Sequence, residues 1–292
     1  MPTPNDFPEP HDIRITVFVH FIPLCEIIGR IGKVLQRRKP DDSGFAPIQL
    51  AHELVAWVQP LPLEVQPSFK ASRTRGFHRD VHGMHLTYLC TITILHLSND
   101  SQPLPKASVA GIVAASCTAR IFHDFLVRGS ISFLAGQAGW YISVAILALL
   151  YARKLDGLTA DADADIATLR AALGAMSKDW RVAGMFGAGI EKLMRMENQR
   201  NSGVPQDPVP VIPDTTIPLQ LADEMSATAG INWQDYFPYV TDETSPLINT
   251  LFAQYGQTVS FPELYWTLDV PTQVNQFLTG DESMLTLDFL SL

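Results

Sequence analysis

The chain has 292 residues, 47% of them hydrophobic and 17% charged, which is the composition of a globular protein of one large or two modest domains. Of its 30 acids and 21 bases, twelve acids and no base fall in residues 203–292, leaving a mildly basic body and a strongly acidic carboxyl-terminal third. An acidic chain without a clustered basic face repels phosphate backbones, so direct nucleic-acid binding is not expected. Three widely spaced cysteines, Cys25, Cys90 and Cys117, exclude a disulfide framework and a CxxC zinc site and point to a reducing compartment.

Residues 1–12 read as a proline-rich, acidic extension without the basic-then-apolar order of a signal peptide. From 13 to 200 apolar residues recur at steps of three and four, with Pro or polar breaks and little alternation. This predicts an all-α domain, a helical bundle or solenoid of about seven helices. The first helix, 13–38, carries Val17, Phe21, Leu24, Ile28, Ile31 and Leu35 and ends in Arg37, Arg38 and Lys39. Helices at 48–58, 81–97 and an Ala-rich 107–127 follow. Residues 129–152 are uncharged between Arg128 and Arg153, long enough for a membrane span. Ser130, Ser132, Gly136, Gln137 and Gly139 dilute the first half, so the segment reads as a buried core helix and membrane association is not expected. Asp161, Asp163 and Asp165 open the next helix, where carboxylates favour the positive end of the dipole. They do not open a calcium loop, because Ile166 and Ala172 stand where such a loop needs Gly and Glu. A last helix is expected at 179–197.

Beyond it the composition changes. Residues 201–219 read as a Pro-rich linker and 220–292 as an acidic, aromatic segment. Trp233, Phe237, Phe261, Trp266, Phe277 and Phe289 are its candidate activation-tail contacts, kept solvated by neighbouring acids until a partner groove takes them. Eleven aromatics are many for a solvated tail, and the alternative is that the segment packs back onto the body.

The densest histidine cluster, His78, His82 and His85, has helical spacing, yet it lacks HExxH, is interrupted by Gly83 and has no Glu to serve as a hydrolytic base. No metal, cofactor or catalytic residue is assigned, and neither GxGxxG, GxSxG nor a P-loop occurs. A ligand pocket is expected between the helix bearing His82, His85 and Tyr88 and the helix bearing Trp140 and Tyr141, which supply polar tips on apolar walls. Ordinary core contacts are the plainer reading of the same residues.

Four segments together resemble the fungal-specific transcription factor domain, the middle homology region of fungal two-zinc, six-cysteine-cluster regulators. The first is FVHFIPLCEIIGRIGKVL, with Leu24, Glu26, Ile27, Ile28, Gly29, Arg30 and Ile31. The second is HELVAWVQPLPLEV, with Leu54, Trp57, Leu61 and Pro62. The third is MHLTYLCTITILHL, with His85, Tyr88, Ile94, Leu95 and His96. The fourth is LRAALGAMSKDWRVAGMFGAGIEKL, with Trp180, Ala183 and Leu193. They run in order over about 190 residues. The chain departs from the family in lacking the zinc cluster, in having Leu97 and Ser98 where the family often has Arg-Pro, and in matching the domain only from partway through. Apolar surface that a front half would cover must then be covered by a partner chain, by self-association or by the tail.

The resemblance implies a regulator-like protein without its own DNA-binding domain. It would act in the nucleus through full-length zinc-cluster regulators or the transcription machinery, with a hydrophobic small molecule as a further candidate ligand. The alternative is a helical domain recruited in fungal secondary metabolism as a cytoplasmic small-molecule-binding protein or cofactor-independent cyclase or pericyclase, since positioning alone lowers such barriers.

Overall fold

The computed structural model describes residues 2–8, 12–36, 45–67, 69, 76–98, 104–201 and 231–255, and among them the fold is all-α. Eight helices follow in chain order: α1 (Ile13–Gln36), α2 (Phe45–Val58), α3 (Arg79–Leu95), α4 (Val109–Val127), α5 (Ala138–Ala152), α6 (Thr159–Met176), α7 (Arg181–Asn201) and α8 (Pro246–Tyr255). A two-residue antiparallel pair, β1 (Leu97–Ser98) with β2 (Lys106–Ala107), fastens the α3–α4 connection.

Helix α4 is the axle of the bundle, packed on α3, α5 and α6 and reached by the carboxyl-terminal segment. Its sequence is apolar nearly all round, which suits a helix enclosed on every side. The Ser108 side chain caps it by accepting from the Gly111 amide at 3.4 Å, and the same oxygen bonds His96 Nδ1 at 2.8 Å. A Cβ on Gly111 would stand 3.2 Å from both the His96 Cβ and its carbonyl oxygen, so α4 begins as close to the end of α3 as a backbone can.

The uncharged stretch after Arg128 is shorter as a helix than its composition suggested. Gly129 takes φ 63° and turns the chain out of α4, a short 3-10 turn covers Ile131–Phe133, and only Ala138–Ala152 is α-helical. Helices α3, α4, α6 and α7 all pack on α5, so it is a core helix. The small residues ahead of it serve that packing: a Cβ on Gly139 would lie 2.8 Å from the Phe186 ring of α7.

Residues 231–255 fold back onto the body. A short 3-10 turn at Trp233–Tyr236 lies against α2 and α4, and α8 lies against α4 and α6. Trp233, Tyr236, Phe237, Leu247, Ile248 and Leu251 are all buried in the common core. The solvated-tail reading therefore does not hold for Trp233 and Phe237, because the aromatics that a free tail would offer to a partner are spent on the chain's own body. Gly157, with φ 79°, leaves room for α8: a Cβ there would meet Gln254 at 2.8 Å. Phe261, Trp266, Phe277 and Phe289, and the proline-rich linker, lie outside the described residues.

Candidate functional site

Helix α3 carries three of the five expected pocket residues, and two of them, His85 and Tyr88, form a clamp. His85 Nε2 lies 2.9 Å from the Val65 carbonyl oxygen, which can only accept, so Nε2 bears the proton. Nδ1 then accepts from the Tyr239 hydroxyl at 3.1 Å. Burial drives the imidazole pKa down to about 3, so the ring stays neutral and keeps this tautomer at cellular pH. One turn along, the Tyr88 hydroxyl donates to the Tyr236 carbonyl at 2.9 Å. Burial raises the Tyr88 pKa, with nearby Tyr239 and Tyr236 adding to the shift. The Trp57 ring of α2 stands 5.0 Å from Tyr88 and 6.1 Å from His85, and its indole N–H donates to the His20 carbonyl of α1 at 2.9 Å. The cluster thus ties α1, α2, α3 and the returning 231–255 segment into one unit.

His82, Trp140 and Tyr141 do not join it. His82 turns to Phe77, with ring centroids 4.6 Å apart, and its Nδ1 bonds the His78 carbonyl at 2.8 Å. Tyr141 meets Thr87 on another side of α3, hydroxyl to hydroxyl at 3.2 Å, while Trp140 lies beside Phe186 of α7. The expected pocket residues are therefore split over four neighbourhoods. With His82, His85 and Tyr88 fully buried, they act as core contacts.

A second polar arrangement appears where the carboxyl-terminal segment crosses α4 and α6. The Ile248 amide donates to Ser245 Oγ at 3.1 Å, Ser245 lies 2.7 Å from Ser116 Oγ, and Ser116 donates to Asp165 Oδ2 at 2.6 Å. Because Ser116 spends its proton on the carboxylate, Ser245 must donate to Ser116, and the three bonds run in one direction and polarise one another. Alongside, Thr250 donates to Asp161 at 3.1 Å, and Asp163 pairs with Arg153 at 2.7 Å. Burial pushes the Asp165 pKa up to about 7; the Ser116 bond opposes the shift and the Asp161 carboxylate adds to it. Asp165 and Ser245 of this network line an open cleft of about 490 Å³, with Arg120, His123, Asp242, Glu243 and Asn249 on its walls.

Sequence reading missed this cleft because Ser116 and Ser245 are 129 positions apart and neither belongs to a motif. The helix that brings Ser245 there did leave a trace: Ser245-Pro246 is a start signal, and Leu247, Ile248, Leu251 and Phe252 have helical spacing.

The third feature is α1. It is long and apolar, yet little more than a fifth of its most apolar stretch is buried. Its inner face, Leu24, Ile27 and Ile31, belongs to the core. On the outer face Phe18 is 50% exposed, Cys25 is exposed, and Ile15, Val19 and Ile22 are half-buried.

No protein-family model, curated protein or solved structure matches the chain.

Proposed function

We propose that the chain is a transcription-regulator-like protein that acts through protein partners, with no zinc-cluster DNA-binding region within its 292 residues. The observation that supports this most is the division of the acidic segment: within 231–255 the aromatics Trp233, Tyr236 and Phe237 are buried in the regulator-like helical body, and residues 256–292 follow this anchor in sequence. Those last 37 residues hold five acids, no base and five aromatics, the composition of a partner-recruiting tail. The four segments with family resemblance fold as α1, α2, α3 and the α6–α7 pair of that body. The test is to fuse the full chain to an unrelated DNA-binding domain in a reporter cell. Activation that drops when Phe261, Trp266, Phe277 and Phe289 are changed together to Ser is expected. A silent full-length fusion that accumulates normally would overturn the reading.

A small-ligand role is favoured by one observation, the cleft over Asp165. Its polar walls suit a hydrophilic ligand better than a terpenoid or polyketide. A screen of small polar metabolites by thermal shift, with Asp165→Asn as control, tests it; no shift by any compound would count against it.

A further inference from the structure

We propose that the cleft over Asp165 is a binding site for a small organic dication, an aliphatic diamine of the putrescine class. The proposal rests on the small-ligand reading of the cleft given above and names the chemistry of that ligand.

The cleft lies where α4, α6 and the approach to α8 meet, and its charges do not balance. Arg120 is the one guanidinium on its walls, and that charge is met inside α4: buried Asp124 stands one turn on at 3.8 Å, and an Arg120 N–H donates to His123 Nδ1 at 3.3 Å. The bond occupies the lone pair of Nδ1, so His123 adds no positive charge while it holds. Against these, three carboxyl groups line the cleft: Asp165, largely buried, and the exposed Asp242 and Glu243. Asp242 and Glu243 make no ion pair among the described residues.

Asp165 says more than that the cleft is acidic. Its Oδ2 takes the Ser116 proton at 2.6 Å, while Oδ1 has no hydrogen-bond partner among the described residues. A largely buried carboxyl oxygen without a donor costs free energy, and Asp165 lines the cleft, so the donor comes from what occupies it. A metal ion does not fit. It needs ligands that converge on one point, and among the described residues no three His, Cys, Asp or Glu side chains do so. One acid inside and two at the rim match instead a ligand with two separated cationic ends, each carrying several N–H donors. Ala119 and Pro246 offer apolar contact to the methylenes between them, and about 490 Å³ takes such a molecule whole.

Proton linkage adds a signature. The titratable and charged groups around Asp165 are Asp161 on its own helix, Cys117, Arg120 and His123 of α4, and Asp242 and Glu243 of the carboxyl-terminal segment. Burial raises the Asp165 carboxyl to about 7, against the Ser116 bond and with Asp161 adding to the shift. An ammonium group binds the ionised form, so affinity should rise roughly tenfold from about pH 6 to about pH 8.

Isothermal titration calorimetry of the full chain with putrescine tests the proposal. An open cleft leaves its charges partly hydrated, so a dissociation constant of about 0.1–1 mM is expected at low salt, weakening as salt is added. 1-Butylamine, which presents the single ammonium of a lysine side chain, should bind at least about fivefold more weakly, and 1,4-butanediol and succinate not at all. Asp165→Asn keeps an acceptor for Ser116 and should weaken putrescine at least about fivefold and abolish the pH slope, whereas His123→Gln should keep that slope. Glu243→Gln, on an exposed side chain, should weaken binding about twofold with the thermal midpoint unchanged, which keeps the proposal testable even where Asp165→Asn unfolds the chain. No binding of putrescine up to about 10 mM would overturn the proposal. So would equal binding of butanediol or succinate, equal binding of 1-butylamine, which favours a lysine side chain, or displacement of putrescine by equimolar Mg²⁺, which favours an inorganic cation. Where putrescine fails and another polar metabolite still shifts the thermal midpoint, the diamine falls and the small-ligand reading stands; where no compound does, both fall. None of these outcomes bears on the reporter experiment above.

Discussion

Tyr88→Phe removes one of the two side-chain bonds described above between α3 and the carboxyl-terminal segment, the other being that of His85 with Tyr239. The ring is fully buried against Trp57 and Phe has the same shape, so packing is preserved and only the hydroxyl is lost. That hydroxyl donates to the Tyr236 carbonyl at 2.9 Å in a site closed to water, and its removal leaves a buried acceptor without a donor. The cost is about 1–3 kcal/mol, roughly a 5- to 150-fold rise in the population with the segment detached, at 1.4 kcal/mol per tenfold. Chymotrypsin reads that population directly at the aromatics of 231–255, since residues 203–292 offer trypsin no Lys or Arg. Urea unfolding followed by circular dichroism gives the global part. The variant is expected to be cut faster within 231–255 in native buffer and to show a lower urea midpoint. Unchanged cleavage together with an unchanged midpoint would refute the clamp, because an unsatisfied carbonyl in a dry core cannot be free of cost.

Trp233→Ala tests whether the aromatics of the acidic segment are core: at 5% exposure its truncation should cost about 3–5 kcal/mol, read as a lower thermal midpoint, whereas a solvated tail residue would leave the midpoint unchanged. Asp165 and His85 should tilt the pH dependence of stability in opposite directions. The Asp165 carboxyl, raised from 3.8 to about 7, holds a proton in the folded state that the unfolded chain has released, so its contribution is fully present below about 4 and is lost as pH rises through 7. His85, lowered from 6.5 to about 3, contributes stability above 6.5 that is lost as pH falls towards 3. Asp165→Asn removes the first slope, so between pH 7 and 5 the variant should lose more stability than the parent; equal losses in urea midpoint across that range would contradict the assignment.

Much of the body was legible because helical periodicity is a local signal. Positions 24, 28 and 31 of α1, the Ala-rich run of α4 and the acids opening α6 each show their element within a few turns. The apolar stretch after Arg128 was too long in the reading because composition does not register where Gly129 turns the backbone, and the helix proper begins only at Ala138. The carboxyl-terminal segment was the harder case. Acids and aromatics interleave there without a period, and what decides between solvated and docked is not in the segment at all. It is in the partners that α3 and α4 present: the hydroxyl of Tyr88, the imidazole of His85 and the hydroxyl of Ser116. The expected pocket failed for a related reason. Spacing put His82, His85 and Tyr88 near one another on α3, but it could not show that His82 would turn to Phe77 and Tyr141 to Thr87.

The central claim is that one acidic stretch is divided into a buried anchor, 231–255, and the part beyond it. Amide hydrogen exchange of the full chain, read by mass spectrometry, tests this most directly. Protection of peptides spanning 233–240 and 246–255 close to that of α4 is the predicted result, with both lost together in Tyr88→Phe before α4 itself opens. Exchange of those peptides at the rate of a free chain, while α4 remains protected, would contradict it.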